Sequence, residues 1–303
     1  MHGHADETPL TTIHLHEYEI GRAPVTNSEY AAFVDDGGYT DARWWQGDIS
    51  TAWWQGQLRD EGNIAWWQVR HAALREDFDA AIATYYSTYS AAQIAALHTY
   101  AGWSATRMAR WLERRFAPRK YRRPAHWSDP RFCAPAKPVV GVSLYEALAY
   151  SRWLSAQTRE HITLPLEEQW EAAARGLSDP GTEARLWPWG DSAPQPGECN
   201  INGALGRTSY VGSCPGADTP EGATDMCGNA LEWTLSSYPQ HWHERRHSQR
   251  QLSATGDLVG PHILRGGAWQ LPPHDCRPAY RCKGYPGNRV NIAGLRLIRL
   301  SLC

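Results

Sequence analysis

Hydrophobic and polar residues alternate near the amino terminus in the way that is typical of a strand. Ile13 and Leu15 fall on one face of the segment 12–20, and polar side chains fall on the other. We therefore predict a strand with one buried face over 12–20. The sequence T-N-S-E at 26–29 is a capping box, which predicts a helix that begins there and ends at Gly37.

The segment 45–134 has a different pattern, with apolar residues at helical spacing. It predicts helices over 68–86, 90–100 and 104–116, of which the second opens on a capping box and the third stops before a proline. We predict that 45–134 is a tryptophan-rich helical insertion in the surrounding domain. Tryptophan pairs recur at unequal intervals and form no true repeat: Trp44-Trp45, Trp53-Trp54 and Trp66-Trp67.

Regular patterns return after the insertion. Residues 138–142 predict a short strand, and S-L-Y-E at 143–146 is a further capping box that predicts a helix. Another helix is predicted over 165–176. We attribute the carboxylates of Glu167 and Glu168 to its first turn, where negative charge favours the helix N-terminus.

The composition restricts the class of protein. A chain of 303 residues with a formal net charge of -2 is long enough for a sizeable core and is not an obvious polyanion binder. Sixteen Trp and fourteen Tyr against four Phe favour half-buried positions and contact surfaces. No basic start leads into an apolar run, and no apolar run approaches about 18 residues. We expect no secretory signal and no membrane span, and hence a cytoplasmic protein.

The cysteines have no zinc-ribbon pattern. Seven cysteines occur at irregular spacing and no C-x-x-C is present, which argues against a zinc ribbon. Without a secretory signal, reduced thiols are the expected state.

The segment 107–123 is strongly basic. Eight Lys and Arg residues stand there against one acid, Glu113. One interpretation is a surface for an acidic partner or a nucleic acid, with nearby aromatic residues able to stack on bases. The other is a solvated helix face that balances acids elsewhere. Both interpretations stay open.

The segment 265–299 combines strand-like ends with an irregular middle. Prolines and glycines exclude a regular helix between those ends. Because proline limits the freedom of the backbone, the polar and aromatic side chains of such a segment can be held in a fixed display. We therefore expect recognition or chemistry on this segment.

Three blocks in the C-terminal part carry a family resemblance. R-G-G-A-W at 265–269, C-R-P-A-Y-R at 276–281 and N-R-V-N-I-A-G-L-R-L at 288–297 resemble the end of formylglycine-generating enzyme (sulfatase-modifying factor) domains.

Upstream blocks agree with the same family in order. They lie at 20–30, 164–176 and 225–234, the last with the sequence D-M-C-G-N-A-L-E-W-T. The resemblance implies one α+β domain over 1–303, with the C-type-lectin-like fold of that family, much irregular structure and the helical insertion. Its C-terminal segment 265–299 would be the ligand-binding part.

The family resemblance also implies calcium, which prefers hard oxygen ligands. Asn200 and Ile201 fall where the family has one calcium loop, although the acidic ligand expected downstream is missing. Asn229 and Glu232 match a second block. The alternative is that Asn229 and Glu232 bond to backbone in a tight turn. We expect structural calcium as the possible cofactor.

Two catalytic branches of the family are alternatives. The formylglycine-generating oxidases hold copper and the substrate thiol with two cysteines, and soft thiolates suit Cu(I). Cys276 matches the second cysteine, but Leu271 stands at the first position. The iron-dependent sulfoxide synthases resemble residues 25–39, but they take their iron-binding histidines mainly from an additional N-terminal helical domain, which we expect this chain to lack.

A third, non-catalytic branch leads to our main prediction. The variable proteins of diversity-generating retroelements share this fold and vary near the C-terminus. We predict a non-catalytic ligand-binding protein with a hypervariable surface and an unknown protein or small-molecule ligand. A metal-dependent oxidase acting on a thiol is the alternative. Rigidly held aromatic and polar side chains suit a binding surface, and the predicted contact residues are Trp269, Leu271, His274, Tyr280, Cys282, Tyr285, Val290 and Ile292.

Overall fold

Helices and short strands alternate with long irregular stretches along the chain. The computed structural model describes residues 7, 13–86, 89, 91–176, 184–238, 258 and 260–301. Its helices are α1 (Asn27–Asp35), α2 (Asp48–Trp54), α3 (Glu61–Glu76), α4 (Phe78–Tyr85), α5 (Ala91–Ala101), α6 (Ala105–Arg115), α7 (Leu144–Thr158) and α8 (Glu167–Arg175). Its strands are β1 (Tyr18–Ile20), β2 (His161–Thr163), β3 (Leu231–Ser237), β4 (His262–Arg265), β5 (Cys282–Gly284), β6 (Ala293–Leu295) and β7 (Ile298–Leu300).

The chain divides into two compact units. The core unit comprises Met1–Trp54 and Tyr121–Cys303, and the helical unit comprises Gln55–Lys120. Helices and sheets occur together in the core unit, so the predicted α+β class agrees with the structure.

Two small sheets organise the core unit. One has the order β1-β7-β2 and is antiparallel, with Tyr18 opposite Leu300 and Thr163 opposite Ile298. The other has the order β5-β4-β3-β6, in which only the β3–β6 pair is parallel. The strand predicted over 12–20 is limited to β1, because its partner β7 has three residues.

Helices α1 and α7 supply much of the aromatic core. Thr26 and Ser143 cap them through complete capping boxes, as their sequences predicted. Tyr30 of α1 stacks on Tyr150 of α7 with 5.0 Å between ring centroids. Packing of this kind buries large aromatic areas and fixes one helix on the other.

The aromatic residues that flank the helical unit belong to the core unit. Trp53 stacks on Trp45 at 5.7 Å and on Tyr121 at 5.1 Å between ring centroids. The helical unit is therefore narrower than the predicted insertion 45–134.

The helical unit contains α3 to α6. The helix predicted over 68–86 is two helices, because Asp77 ends α3 and its side chain caps α4 by accepting from the Ala80 amide. Leu74 and Leu97 pack in one small core of this unit, and Met108 packs in another. The capping box predicted at 90–93 begins outside the described residues.

No helix in the described part of the chain is long and apolar enough to cross a membrane.

The buried imidazole of His262 in β4 gives a pH-dependent stability. Burial lowers its pKa to about 4, so the folded state resists protonation that the unfolded chain accepts near 6.5. The stabilisation is present above pH 6.5 and is lost as the pH falls towards 4. We predict that the wild-type protein loses about 2 kcal/mol more unfolding free energy than His262→Gln between pH 7.5 and 4.5.

Urea unfolding at the two pH values measures this difference. The matched control is His274→Gln, because it removes a half-exposed histidine instead of a buried one. An equal loss in the wild type and in His262→Gln would contradict the assignment to His262.

Candidate functional site

The C-terminal segment 265–299 pairs with the sheets in its middle as well as at its two ends. Leu264 in β4 pairs with Cys282 in β5, and Ala293 in β6 pairs with Leu231 in β3. Strands β5 and β6 thus divide the irregular stretch into a first loop, residues 266–281, and a second loop, residues 285–292. The strand-like C-terminal end of the segment contains β6 and the start of β7, whereas the sequence did not predict β5, which has three residues.

The two glycines that open the first loop have a packing reason. Gly266 and Gly267 have φ of +93° and +70°, values that side-chain-bearing residues rarely adopt. A Cβ at Gly267 would overlap Cys276, whose side chain lies directly against it. The turn therefore brings the start of the first loop against its own middle.

Buried arginines hold the first loop. Arg265 contacts Glu167 at 2.8 Å, and both side chains are fully buried. Arg281 contacts the same carboxylate at 2.6 Å. Arg277 pairs with Glu7 at 2.6 Å. Since a buried charge without a partner is costly, these pairs fix the path of the loop.

One glutamate holds the second loop. The Glu146 carboxylate accepts from Arg289 Nε at 2.8 Å and from the Tyr39 hydroxyl at 2.6 Å. It also accepts from the Ser143 amide as part of the α7 capping box. The Arg289 guanidinium lies over the Tyr121 ring, 3.8 Å from its centroid. Burial alone would lower the pKa of Arg289. The negative charge of Glu146 raises it by more, so the pKa of Arg289 lies above its ordinary value.

A further ion pair lies at the end of the C-terminal segment. Arg296 Nε donates to Glu232 at 2.8 Å, and neither side chain is exposed. Trp170 also donates to Glu232 from its indole nitrogen. Arg296 further donates to the Thr224 carbonyl at 2.7 Å. This pair links β3, α8 and the end of the C-terminal segment.

The predicted contact residues lie in three different environments. Trp269 is buried, and its indole N–H donates to the Asn291 carbonyl at 3.3 Å. Ile292 packs against the small apolar cluster that contains Trp269. Leu271 packs against two other apolar clusters, one of which is the main core. His274 and Val290 are exposed, while three are partly buried: Tyr280, Cys282 and Tyr285.

Cys276 is a buried thiol. Its Sγ lies 3.8 Å from the carbonyl oxygens of Ala268 and Leu271, to which it donates. Burial raises the pKa of this thiol well above its ordinary value. Burial also raises the pKa of Cys282, to about 11. Copper binds the thiolate, and Leu271 offers no second sulfur beside Cys276.

The residues predicted to hold calcium form part of a buried polar network. Asn229 Oδ1 accepts from the Ser209 amide at 2.9 Å and from Asn200 Nδ2 at 3.3 Å. Ile201 packs in an apolar cluster. The charge of Glu232 is neutralised by Arg296.

Some oxygen atoms of this network have no protein partner. Asn200 Oδ1 and Thr208 Oγ1 are buried without a hydrogen bond. Asp225 also belongs to the network, and burial raises its pKa to about 6. Among the described residues, no group of three or more His, Cys, Asp or Glu side chains could hold a metal ion. The calcium site stays a prediction.

The basic segment begins on α6 in the helical unit. Met108 and Leu112 are buried, whereas Arg107, Arg110 and Arg114 are exposed. The guanidinium of Arg107 lies over Trp103, within the same unit. The acidic partner predicted for 107–123 is not tested by these contacts.

The sequence did not predict which carboxylates hold the two loops. Glu167 was attributed to helix-start electrostatics, but its buried side chain pairs with Arg265 and Arg281. Glu146 was read only as a capping-box residue. The arginines of the C-terminal segment signal that buried acidic partners are needed, but they do not identify which carboxylates these are.

Comparisons with known proteins identify the family of this chain. The family described as "sulfatase-modifying factor enzyme 1-like domain" matches residues 1–301. The hercynine oxygenase of Mycobacterium tuberculosis is 31% identical over 300 residues, which cover 96% of this chain and 55% of that protein. The formylglycine-generating enzyme of Thermomonospora curvata is 25% identical over 305 residues, covering 96% of this chain and 84% of that protein.

The chain spans about half the length of the hercynine oxygenases that it matches. A solved structure, variable protein 1 of Treponema denticola, is 20% identical with a TM-score of 0.44, and the match covers 58% of this chain and 74% of that one. That likeness is too weak to support any function.

The prediction of a non-catalytic, hypervariable binding protein is wrong. Hercynine oxygenases match 96% of this chain at 31% identity, which favours the oxidase alternative. The packing gives a physical reason as well. Trp269 and Ile292 support the loops from inside, so freely varying them would disturb the core.

The glycine turn that opens the first loop is testable. We predict that Gly267→Ala lowers the unfolding free energy by about 2 kcal/mol or more, because it combines a positive φ with overlap on Cys276. The matched control is Gly216→Ala, since a Cβ there meets nothing within 4 Å, and we expect no loss. Urea unfolding compares the two, and similar stabilities would show that the turn tolerates a side chain.

Proposed function

We propose an oxygenase function for this chain, which belongs to the family of sulfatase-modifying factor enzyme 1-like domains. Its substrate would be hercynine or a chemically similar molecule, oxidised in a metal-dependent reaction that also uses a thiol. The observation that carries the proposal is the match to hercynine oxygenases over 96% of this chain. The C-type-lectin-like arrangement of the core unit is part of the same proposal.

The two loops are the part of this chain that we assign to substrate binding. The buried partners of Arg281 and Arg289 fix these loops before any ligand arrives. A fixed site loses little conformational entropy on binding, which favours affinity and correct orientation. The side chains with exposed surface on this frame are the proposed substrate contacts: His274, Tyr280, Cys282, Tyr285 and Val290.

The chemistry of hercynine suits aromatic contacts. Its trimethylammonium group is a cation that cannot donate hydrogen bonds, and aromatic faces recognise such groups. Tyr285 in the second loop and Tyr280 in the first keep part of their surface exposed. We assign the cation to Tyr285, because the Tyr280 side chain already interacts with the side chain of Cys282, where the first loop leads into β5.

A bound metal would supply the activation of dioxygen. The described residues do not fit that metal, since they contain no suitable His, Cys, Asp or Glu group of three. Positions 271 and 276 do not provide a two-thiolate copper site either, because Leu271 carries no sulfur. We therefore assign only substrate binding and orientation to the described residues.

Structural calcium and an acidic partner remain separate proposals. The buried oxygen atoms of Asn200 and Thr208 without partners support a calcium ion near that network. The exposed arginines of α6 support an acidic partner for the segment 107–123.

Binding of hercynine tests the proposed function. We predict that the protein binds hercynine about tenfold more tightly than histidine, measured by titration calorimetry, because only hercynine carries the trimethylammonium group. Tyr285→Ala should remove most of this preference, whereas Tyr285→Phe should keep it. The matched control is Tyr210→Ala, since Tyr210 is also exposed but lies outside the two loops.

Turnover completes the test. Dioxygen uptake by the protein with Fe(II), hercynine and a thiol, together with an oxidised sulfur product in mass spectrometry, would show that ligands outside the described residues complete the metal site. Absence of hercynine binding, together with no dioxygen uptake in the presence of either Fe(II) or Cu(I), would contradict the proposal.

A further inference from the structure

Several cysteines pack together around Cys276 of the first loop. Cys199, Cys227 and Cys276 lie in one buried apolar cluster with Trp187, and Cys214 packs against it. The Sγ atoms of Cys199 and Cys227 are 3.9 Å apart, with Cys227 donating to Cys199. The proposed oxygenase function uses neither Cys199 nor Cys227.

We propose that Cys199 and Cys227 are a redox modification site, where a peroxide converts the two neighbouring thiols into a reversible disulfide. The disulfide would covalently link the two segments that hydrogen-bond to the start of the first loop. This proposal does not depend on the proposed oxygenase activity.

The geometry favours this pair over the other thiols of the cluster. A disulfide needs its sulfurs about 2 Å apart, and side-chain rotation can bring sulfurs that already touch to that distance. Cys276 instead directs its Sγ to the carbonyl oxygens of Ala268 and Leu271. Cys199 keeps 8% of its surface exposed, which leaves it the more accessible member of the pair.

The chemistry divides the roles between the two thiols. The hydrogen bond from Cys227 lowers the pKa of Cys199, which makes Cys199 the nucleophile. The Cys199 thiolate attacks one oxygen of hydrogen peroxide, the O–O bond breaks, and hydroxide leaves, so that Cys199 becomes a sulfenic acid. The Cys227 sulfur then attacks the Cys199 sulfur. The S–O bond breaks and its hydroxyl leaves as water with the Cys227 proton. The hydroxide from the first step takes up the proton that Cys199 gave up, so two thiols are oxidised and one hydrogen peroxide is reduced to two water molecules.

The backbone around the pair explains what the bond would do. Three residues after Cys199, the Asn202 amide donates to the Leu271 carbonyl at 2.8 Å, and the Gly203 amide donates to Trp269 at 2.7 Å. Directly after Cys227, the Gly228 amide donates to the Gly266 carbonyl at 2.7 Å. Both cysteines therefore border segments that bind residues 266–271. Joining them would restrict the opening of that stretch.

Peptide mapping tests the proposal on the intact protein. After complete reduction and brief treatment with hydrogen peroxide, we expect a cross-linked peptide that contains Cys199 and Cys227 and that dithiothreitol reverses. The Tm should rise by about 5 °C, because a cross-link across nearly thirty residues restricts the unfolded chain. Hydrogen exchange at the amides of Asn202 and Gly203 should slow on oxidation.

Single substitutions separate the pair from its neighbours. Cys199→Ser and Cys227→Ser should each abolish the cross-link and the rise in Tm, whereas Cys133→Ser should leave both unchanged because Cys133 is exposed. A cross-link to Cys214 or Cys276 in the wild type would overturn the proposal. So would oxidation that ends at sulfinic acid on Cys199 without any cross-link, and both outcomes are read on the wild-type protein itself.

Discussion

Buried arginine–carboxylate pairs are the constraint on which the C-terminal half of the structure depends. Arginines between positions 265 and 296 form ion pairs with Glu7 and with carboxylates of α7, α8 and β3. Removing one partner of such a pair leaves an unpaired buried charge, which costs about 3–5 kcal/mol. Each pair therefore specifies where one part of an otherwise irregular segment must lie.

This constraint connects the fold to the proposed chemistry. The first loop is fixed by Glu167 and the second by Glu146, and each of these carboxylates is also part of a helix start. The helices thus position the loops directly. A substrate would meet loops that are already arranged, which is the condition for orienting it without a large entropic cost. Cys199 and Cys227 border segments whose amides bond to residues 266–271 of the first loop. Their oxidation to a disulfide would therefore restrict the motion of that loop.

Local signals in the sequence predicted local structure well. The capping boxes at Thr26 and Ser143 appear as expected, because a cap depends on residues three positions apart. The α+β class and the family followed from ordered motifs. The partners of Arg281 and Arg289 could not be predicted, because each lies more than 100 positions away and only the tertiary fold brings it close.

The function was the harder inference, for a physical reason. Rigid loops that display aromatic and polar side chains suit an enzyme as well as a binding protein, so the appearance of the segment did not discriminate between them. The absence of sulfur at Leu271 argues against one copper arrangement but not against catalysis in general. Similarity to hercynine oxygenases over nearly the whole chain corrected the prediction of a non-catalytic protein.

A double-mutant cycle between Glu146 and Arg289 tests the central claim most directly. The unfolding free energies of the wild type, Glu146→Gln, Arg289→Met and the double variant give the coupling between the two side chains. If buried ion pairs hold the loops, the coupling should be about 2 kcal/mol or more, and the double variant should be less destabilised than the sum of the single variants. A coupling near zero would contradict the account, because the loop would then be held by other contacts.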